Sequence, residues 1–264
     1  SPIAGLPPIN YGDVPVRDGE GEARDSAAIT AHMTQSIAEA LAQDRYPLVH
    51  VVHGSKTGLV LPHHEDVDEM QGRFGQDVAF VVDACQARIT EEAIREYLRR
   101  GIIVFVTGSK FMGGPPFSGF ALLPPGMAQH AAPIAAGMAN VFRRAEIPAS
   151  WLGREVCADS GNAGLALRLA ASLFELRRFQ ALGLDRVSRV VMAFTRATDT
   201  LVAGLGLSKV ASAPAEDSGT LADHPIEMLT LVTLDLCHDG QGRRVRKLDF
   251  TAATRIHKAM IDQG

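Results

Sequence analysis

The sequence predicts an α/β protein, a mostly parallel sheet flanked by helices, with a smaller α+β unit at its C-terminal end. Three observations predict it. Short apolar runs alternate with helical stretches through residues 25–123, the pattern of successive βαβ units. The block VAFVVDACQARITEEAIREYLRRGIIVFVTGSKFMGGPPFSG (78–119) sets two such runs on either side of a well-capped helix. From about residue 125 the pattern turns helical, then closes with one strand and one helix.

In chain order, residues 1–24 are rich in Pro, Gly and charge and read as irregular. Residues 25–43 place Ile29, Met33, Ile37 and Leu41 at helical spacing, an amphipathic helix. LVHVVH (48–53) is a short apolar strand running into HGSKTG, a glycine-bearing loop. HHEDVDEMQGRFG (63–75) predicts a short polar helix, and VAFVVD (78–83) a second strand. In the next helix Thr90 is the N-cap candidate. Glu91 and Glu92 suit its first turn, Arg99 and Arg100 its last, and Gly101 its stop. IIVFVT (102–107) and GFALL (119–123) are the third and fourth strands. PPGMAQHAAPIAAGMANVFRR then reads as Ala-rich and helical, NAGLALRLAASLFELRRFQALG as a long helix stopped at Gly183, and LDRVSRVVMAFTRATDTLVAGLG as another, ending at Gly204 and Gly206. Residues 211–226 read as loop, MLTLVTLDL (228–236) as a strand, HDGQG as a turn and TAATRIHKAMID as a closing helix. This divides the chain into a large unit, 1–184, and a small one, 185–264.

Bulk properties exclude several classes. A chain of 264 residues with 46% hydrophobic content can bury a full core. A net charge of -4 gives no basic surface for nucleic acid or anionic membrane. No apolar run approaches the roughly 20 residues of a membrane span, and no signal peptide is visible. The chain opens on Ser1 rather than Met, as a processed or truncated start would. Cys85, Cys157 and Cys237 form neither a CxxC pair nor a zinc-ligand spacing. They read as small buried hydrophobes in a reducing, cytoplasmic setting.

The residues suited to chemistry lie at two strand ends. Asp83 ends one apolar run and Lys110 stands just past the end of the next. In a parallel sheet both ends open on one edge, where α/β proteins bind ligands. An ionised acid beside a dry core needs a cationic partner or several donors, and the protonated pyridine nitrogen of a pyridoxal ring is such a partner. The alternative for Asp83 is an Asx turn or helix cap. Lys110 lies in TGSKFMGGPP, a turn that holds backbone close to a ligand. A lysine in a partly dry pocket there loses its proton readily and can form a Schiff base. Thr107 and Ser109 flank it with hydroxyls suited to a phosphate.

The block VVDACQ … VTGSKFMGGPPFSG resembles the class V aminotransferase group of fold-type I pyridoxal phosphate enzymes, which includes cysteine desulfurases, kynureninases and serine–pyruvate-type aminotransferases. That resemblance implies pyridoxal 5'-phosphate held by Lys110, with Asp83 at the pyridine nitrogen. It implies Gln86 at the ring's phenolic oxygen, and Thr107 and Ser109 at the phosphate. HGSKTGLVLP resembles the family loop ending in Gly and a later Pro, with Ser55 where desulfurases usually carry Asn. ADSGNAGLALRL resembles the family's Thr-x-Asn segment, which implies that Ser160 reaches the phosphate of the other subunit of a homodimer. Only residues 48–119 are specific in this likeness. Family members are longer at both ends. Their upstream region carries the phosphate-binding Gly loop and the ring-stacking residue, and their downstream region the arginine that grips the substrate carboxylate. Three readings follow: an aminotransferase acting on an amino acid, a cysteine desulfurase or lyase of the same fold, or a truncated non-catalytic dimerising relative. With no persulfide-forming cysteine evident, the first is preferred.

Rival motifs fail. Lys56 precedes Thr57, but the Walker loop needs Gly where His50 and Ser55 stand. Pro115 and Pro116 block the helix a dinucleotide loop would open. His63, His64, Glu65, Asp66 and Asp68 are read as a solvated face, since adjacent helical histidines point about 100° apart; no metal site is expected. His53 and Lys56 are read as strand-end or solvated residues.

Overall fold

The structure is a computed structural model that describes residues 3–19, 22–54, 59–210, 232–239, 243 and 249–262. Four strands, β1 (Leu48–Val52), β2 (Ala79–Asp83), β3 (Ile103–Thr107) and β4 (Gly119–Leu122), form one sheet in the order β1-β2-β3-β4. The first three run parallel, while β4 turns back antiparallel against β3. A hairpin return is what the short connection after Lys110 permits, because parallel strands need a crossover of a dozen or more residues. The sheet is therefore mostly parallel, as predicted.

Three helices cover one face of this sheet. α1 (Ser26–Ala42) buries Ile29, Met33 and Ile37, and Asp25 caps it by accepting the Ala27 amide. α2 (His64–Phe74) buries Val67 and Met70, and α3 (Glu91–Arg99) buries Ala93 and Tyr97. Thr90 Oγ1 accepts the Ala93 amide at 3.2 Å, a cap worth about 1 kcal/mol. Gly101 ends the helix with φ at 79°, a conformation that favours glycine. These helices pack on Val51, Phe80, Val82, Val104 and Val106, which with them make the core. The opposite face, bearing Leu48, His50, Val52 and Phe105, is much more open, with Leu48 55% and Val52 41% exposed.

One feature of this half differs from expectation. His64 is buried and Asp66 accepts from Ser26, so only Glu65 and Asp68 of the His63–Asp68 cluster lie on a solvated face. The reason is periodicity: His64, Val67 and Met70 form the inner stripe of α2, which packs against α1 and against Tyr97 of α3. Arg100 lies at the C-cap of α3, where it pairs with Glu96 at 2.7 Å and with Asp68 of α2 at 3.0 Å.

The Ala-rich stretch after residue 125 is not a long helix. Only α4 (Met127–His130) is α-helical there, followed by 3-10 turns at 136–140, 144–146 and 154–156. Pro133 removes a helical donor and blocks the preceding turn, which overrides alanine's propensity. Regular helix resumes with α5 (Ala163–Gln180), capped by Asn162 accepting the Leu165 amide at 3.0 Å, and α6 (Leu184–Gly204). Then β5 (Leu207–Lys209) and β6 (Leu234–Asp239) pair antiparallel, and α7 (Phe250–Asp262) follows. Of the strand expected at 228–236, residues 228–231 lie outside the described residues and 234–236 belong to β6. His238 and Asp239 belong to β6 rather than to a turn. Among the described residues, no helix is long and apolar enough to cross a membrane.

Candidate functional site

Asp83 stands between β1 and β3, opposite Val52 on one side and Phe105 on the other. Pairing continues past the strand ends. The His53 amide donates to the Asp83 carbonyl at 3.0 Å, and the Ala84 amide to the Phe105 carbonyl at 2.9 Å. Asp83 Oδ1 accepts the Cys85 amide at 2.8 Å, so the Asx turn is realised. A carboxylate has about four lone-pair sites, and the turn leaves acceptor capacity on Asp83.

Cys85 reports how the edge is assembled. Partial burial pushes its thiol up from the ordinary 9.0 to about 11, and the hydrogen bond and charge of Asp83 add to that rise. The positive charge of Lys110 acts on the same thiol in the opposite direction. The acid of β2 and the lysine after β3 thus both act electrostatically on one side chain.

The lysine loop is cross-braced. The Gly108 amide donates to the Ser118 carbonyl, the Gly114 amide to the Gly108 carbonyl and the Gly113 amide to the Lys110 carbonyl, at 2.8–3.0 Å. Ser118, fully buried, donates to the Pro115 carbonyl at 2.7 Å. α5 lies directly on this turn, for a Cβ at Gly108 or Gly114 would overlap the Ser172 side chain. Thr107 Oγ1 and Ser109 Oγ share a hydrogen bond at 2.8 Å, and Thr107 Oγ1 also accepts the Ser109 amide at 3.3 Å. The two hydroxyls are adjacent, as one phosphate would require. Lys110 itself is exposed, not held in a partly dry pocket. The loop bends at the strand end, and no described segment of the chain folds over the amine.

The structure thus brings together Asp83, Cys85, Thr107, Ser109 and Lys110, with Gln86 in the turn after Asp83. Ser160 lies apart in the exposed loop ahead of α5, its amide donating to the Ala158 carbonyl at 2.8 Å. Ser55 and Lys56 lie outside the described residues. Cys157 is a buried hydrophobe as expected, and the side chain of Cys237 is outside the described residues. Among the described residues no cluster of three metal-ligating side chains occurs.

Two features escaped the sequence. His53 is 2% exposed, and its Nδ1 lies 2.9 Å from the Tyr97 hydroxyl, which also lies 3.4 Å from His64 Nε2. This buried chain ties α2 and α3 to the end of β1. The tyrosine on the inner face of α3 was its one available sign. Arg88 is the second: its Nη1 donates to Gln86 Oε1 at 3.1 Å, and its guanidinium stacks 5.3 Å from the centre of Phe111. Phe111 also meets Phe179 edge-on and helps to wall an apolar cavity of about 420 Å³ against α6.

Fold and edge together define an α/β protein with an acid and an amine at the C-terminal ends of neighbouring parallel strands. No family model and no curated protein matches the chain. Solved structures are similar to it, among them the following two. One is the apo form of a cysteine desulfurase from Thermococcus onnurineus NA1, at 20% identity and TM-score 0.48, covering 77% of this chain and 47% of that one. The other is a protein provisionally assigned as a histidinol-phosphate aminotransferase from Erwinia carotovora atroseptica SCRI1043, at 17% identity and TM-score 0.36, covering 72% and 48%. The chain spans about half the length of these solved chains.

Proposed function

We propose that the chain forms the cofactor-binding part of a pyridoxal 5'-phosphate-dependent enzyme acting on an amino acid, of the class V aminotransferase type. One observation carries the reading: Asp83 ends β2 and Lys110 follows the end of β3, its parallel neighbour, so the acid and the amine open on a single sheet edge. The donor set fits the cofactor. Asp83 offers a carboxylate for the pyridine nitrogen, Gln86 an amide for the phenolic oxygen, Thr107 and Ser109 hydroxyls for the phosphate, and Lys110 an amine for the aldehyde. When bound, the cofactor supplies an electron sink for charge developing at the substrate's α-carbon.

The chain's own contributions follow from its geometry. The Asx turn fixes the Asp83 carboxylate, which would hold a proton on the ring nitrogen. Lys110 Nζ would hold the cofactor's aldehyde and, when free, would be the base for the substrate's α-proton. Because Lys110 is exposed in this chain, exclusion of water falls to whatever covers the edge. A second subunit bringing Ser160 is our reading of that cover. Transamination is preferred to desulfuration on the two cysteines whose side chains are described. Cys157 is buried, and the Cys85 thiol is pushed up to about 11, so neither is a ready nucleophile. The division at residue 184 and a cytoplasmic setting belong to the same proposal.

The test is the visible spectrum of the purified chain with added pyridoxal phosphate, then borohydride reduction and peptide mapping. A band fixed onto Lys110 supports the reading. A folded chain with no band at any cofactor concentration removes it.

A further inference from the structure

The turn between Asp83 and α3 contains an arrangement that the cofactor reading does not use. Gln86 Oε1 accepts a hydrogen bond from Arg88 Nη1 at 3.1 Å. A guanidinium has only donors, so it can bind only the carbonyl end of a glutamine amide. Turning the amide over would set its NH2 group against the guanidinium and lose the bond. Gln86 is half-buried, and its Nε2 makes no hydrogen bond among the described residues.

The backbone between the two residues is unusual. Ala87 has φ at 56°, the left-handed region, and is buried, with its amide donating to the Ala84 carbonyl at 2.8 Å. For a residue with a Cβ that conformation is strained. Such strain persists where the surroundings over-determine it, commonly at binding sites. Here it folds the chain so that the side chains of residues 86 and 88 meet. Arg88 is held from its other side as well, stacked on Phe111, the residue next to Lys110. Phe111 is in turn braced edge-on by Phe179 of α5, with ring centres 5.4 Å apart. The orientation of the Gln86 amide is thus tied to the lysine loop.

We propose that Arg88 is a positioning residue that locks the Gln86 amide so that Nε2 is presented as a donor to an anionic ring oxygen. A charged donor on Oε1 also polarises the amide, which makes Nε2 the stronger donor. The site selects an oxyanion over a hydroxyl donor at that point. Only the identity of that oxygen, the phenolic oxygen of the pyridoxal ring, rests on the proposed function. Among the described residues, Arg88 contacts Gln86 directly, and Asp83 and Cys85 stand in the same turn.

The test has an arm that needs no cofactor. In the unliganded chain, the Gln86 side-chain NH2 signals are identified in 1H–15N spectra by their loss in Gln86→Glu. They are expected at shifts distinct from free glutamine in the wild type, to collapse to free values in Arg88→Leu, and to be partly restored in Arg88→Lys. In protein loaded with pyridoxal phosphate, the pH midpoint of the visible band is expected to rise by about one unit in Arg88→Leu, roughly tenfold in ionisation. An unmoved amide overturns the inference, as does an unmoved midpoint in a variant that binds the cofactor. If the wild type binds no cofactor, the proposed function falls while the amide spectra still decide the role of Arg88. Should Arg88→Leu fail to fold, Arg88→Gln is read by the same spectra.

Discussion

The Asp83 carboxylate accepts the Cys85 amide at 2.8 Å, so the acid that ends β2 also shapes the turn beyond it. One carboxylate therefore serves two purposes. It fixes the backbone on which Gln86 and Arg88 stand, and it keeps acceptor capacity for a cation at the sheet edge.

Cys85 makes that convergence measurable without any ligand. Its thiol, raised to about 11, is almost wholly protonated below pH 9. Asp83→Ala removes two causes of the rise, and alkylation by iodoacetamide at pH 9 is expected to speed up several-fold. Lys110→Ala removes the one opposing charge, and the same reaction is expected to slow. Equal rates in all three proteins would show that the lysine and the acid do not share this edge.

Lys110→Ala is expected to abolish covalent capture of pyridoxal phosphate, read as loss of borohydride-fixed label from the peptide containing residue 110. Asp83→Ala is expected to lower turnover far more than cofactor affinity. An Asp83 variant with unaltered turnover rules out its role at the ring nitrogen.

The seat of α5 on the lysine loop depends on two missing side chains. Gly108→Ala is expected to lower the melting temperature and loosen the loop, because its Cβ would overlap Ser172. Ser172→Gly in the same chain removes the overlapped atoms and is expected to recover most of the loss. The non-additivity is read from a double-mutant cycle by urea unfolding. Strict additivity would mean that the helix does not rest on this turn.

Glu96 gives an acid-side prediction. Hydrogen bonds from Arg99 and Arg100 hold its carboxyl down from the ordinary 4.5 to about 2. A folded-state value below the unfolded one stabilises the fold above pH 4.5, and the contribution is lost as pH falls toward 2. Glu96→Gln is expected to flatten the pH dependence of the urea midpoint across that window. The effect is small, because Glu96 is a surface group.

The alternation of strands and helices through residue 123 was legible because each element obeys its local rule. Thr90 and Gly101 bound α3 in sequence and in structure alike, and the apolar runs ending at Asp83 and Thr107 are β2 and β3. The stretch after Gly126 was not legible. Alanine content suggests helix there, but Pro133 prevents it. His64 was misread for a different reason. Its neighbours are polar, yet its register on α2 aligns it with Val67 and Met70, and only packing against Tyr97 shows that face to be inner.

By itself, the sequence determined the strand ends at which Asp83 and Lys110 stand, because apolar runs and caps are local properties of the chain. Tertiary structure alone decided what surrounds them. The left-handed Ala87 that turns Arg88 onto Gln86, the seat of Ser172 against Gly108 and Gly114, the burial of His53 on Tyr97, and the exposure of Lys110 are each set by contacts between distant or sharply folded segments. Local propensity fixes where a side chain leaves the backbone, and long-range packing fixes what it meets and whether water reaches it.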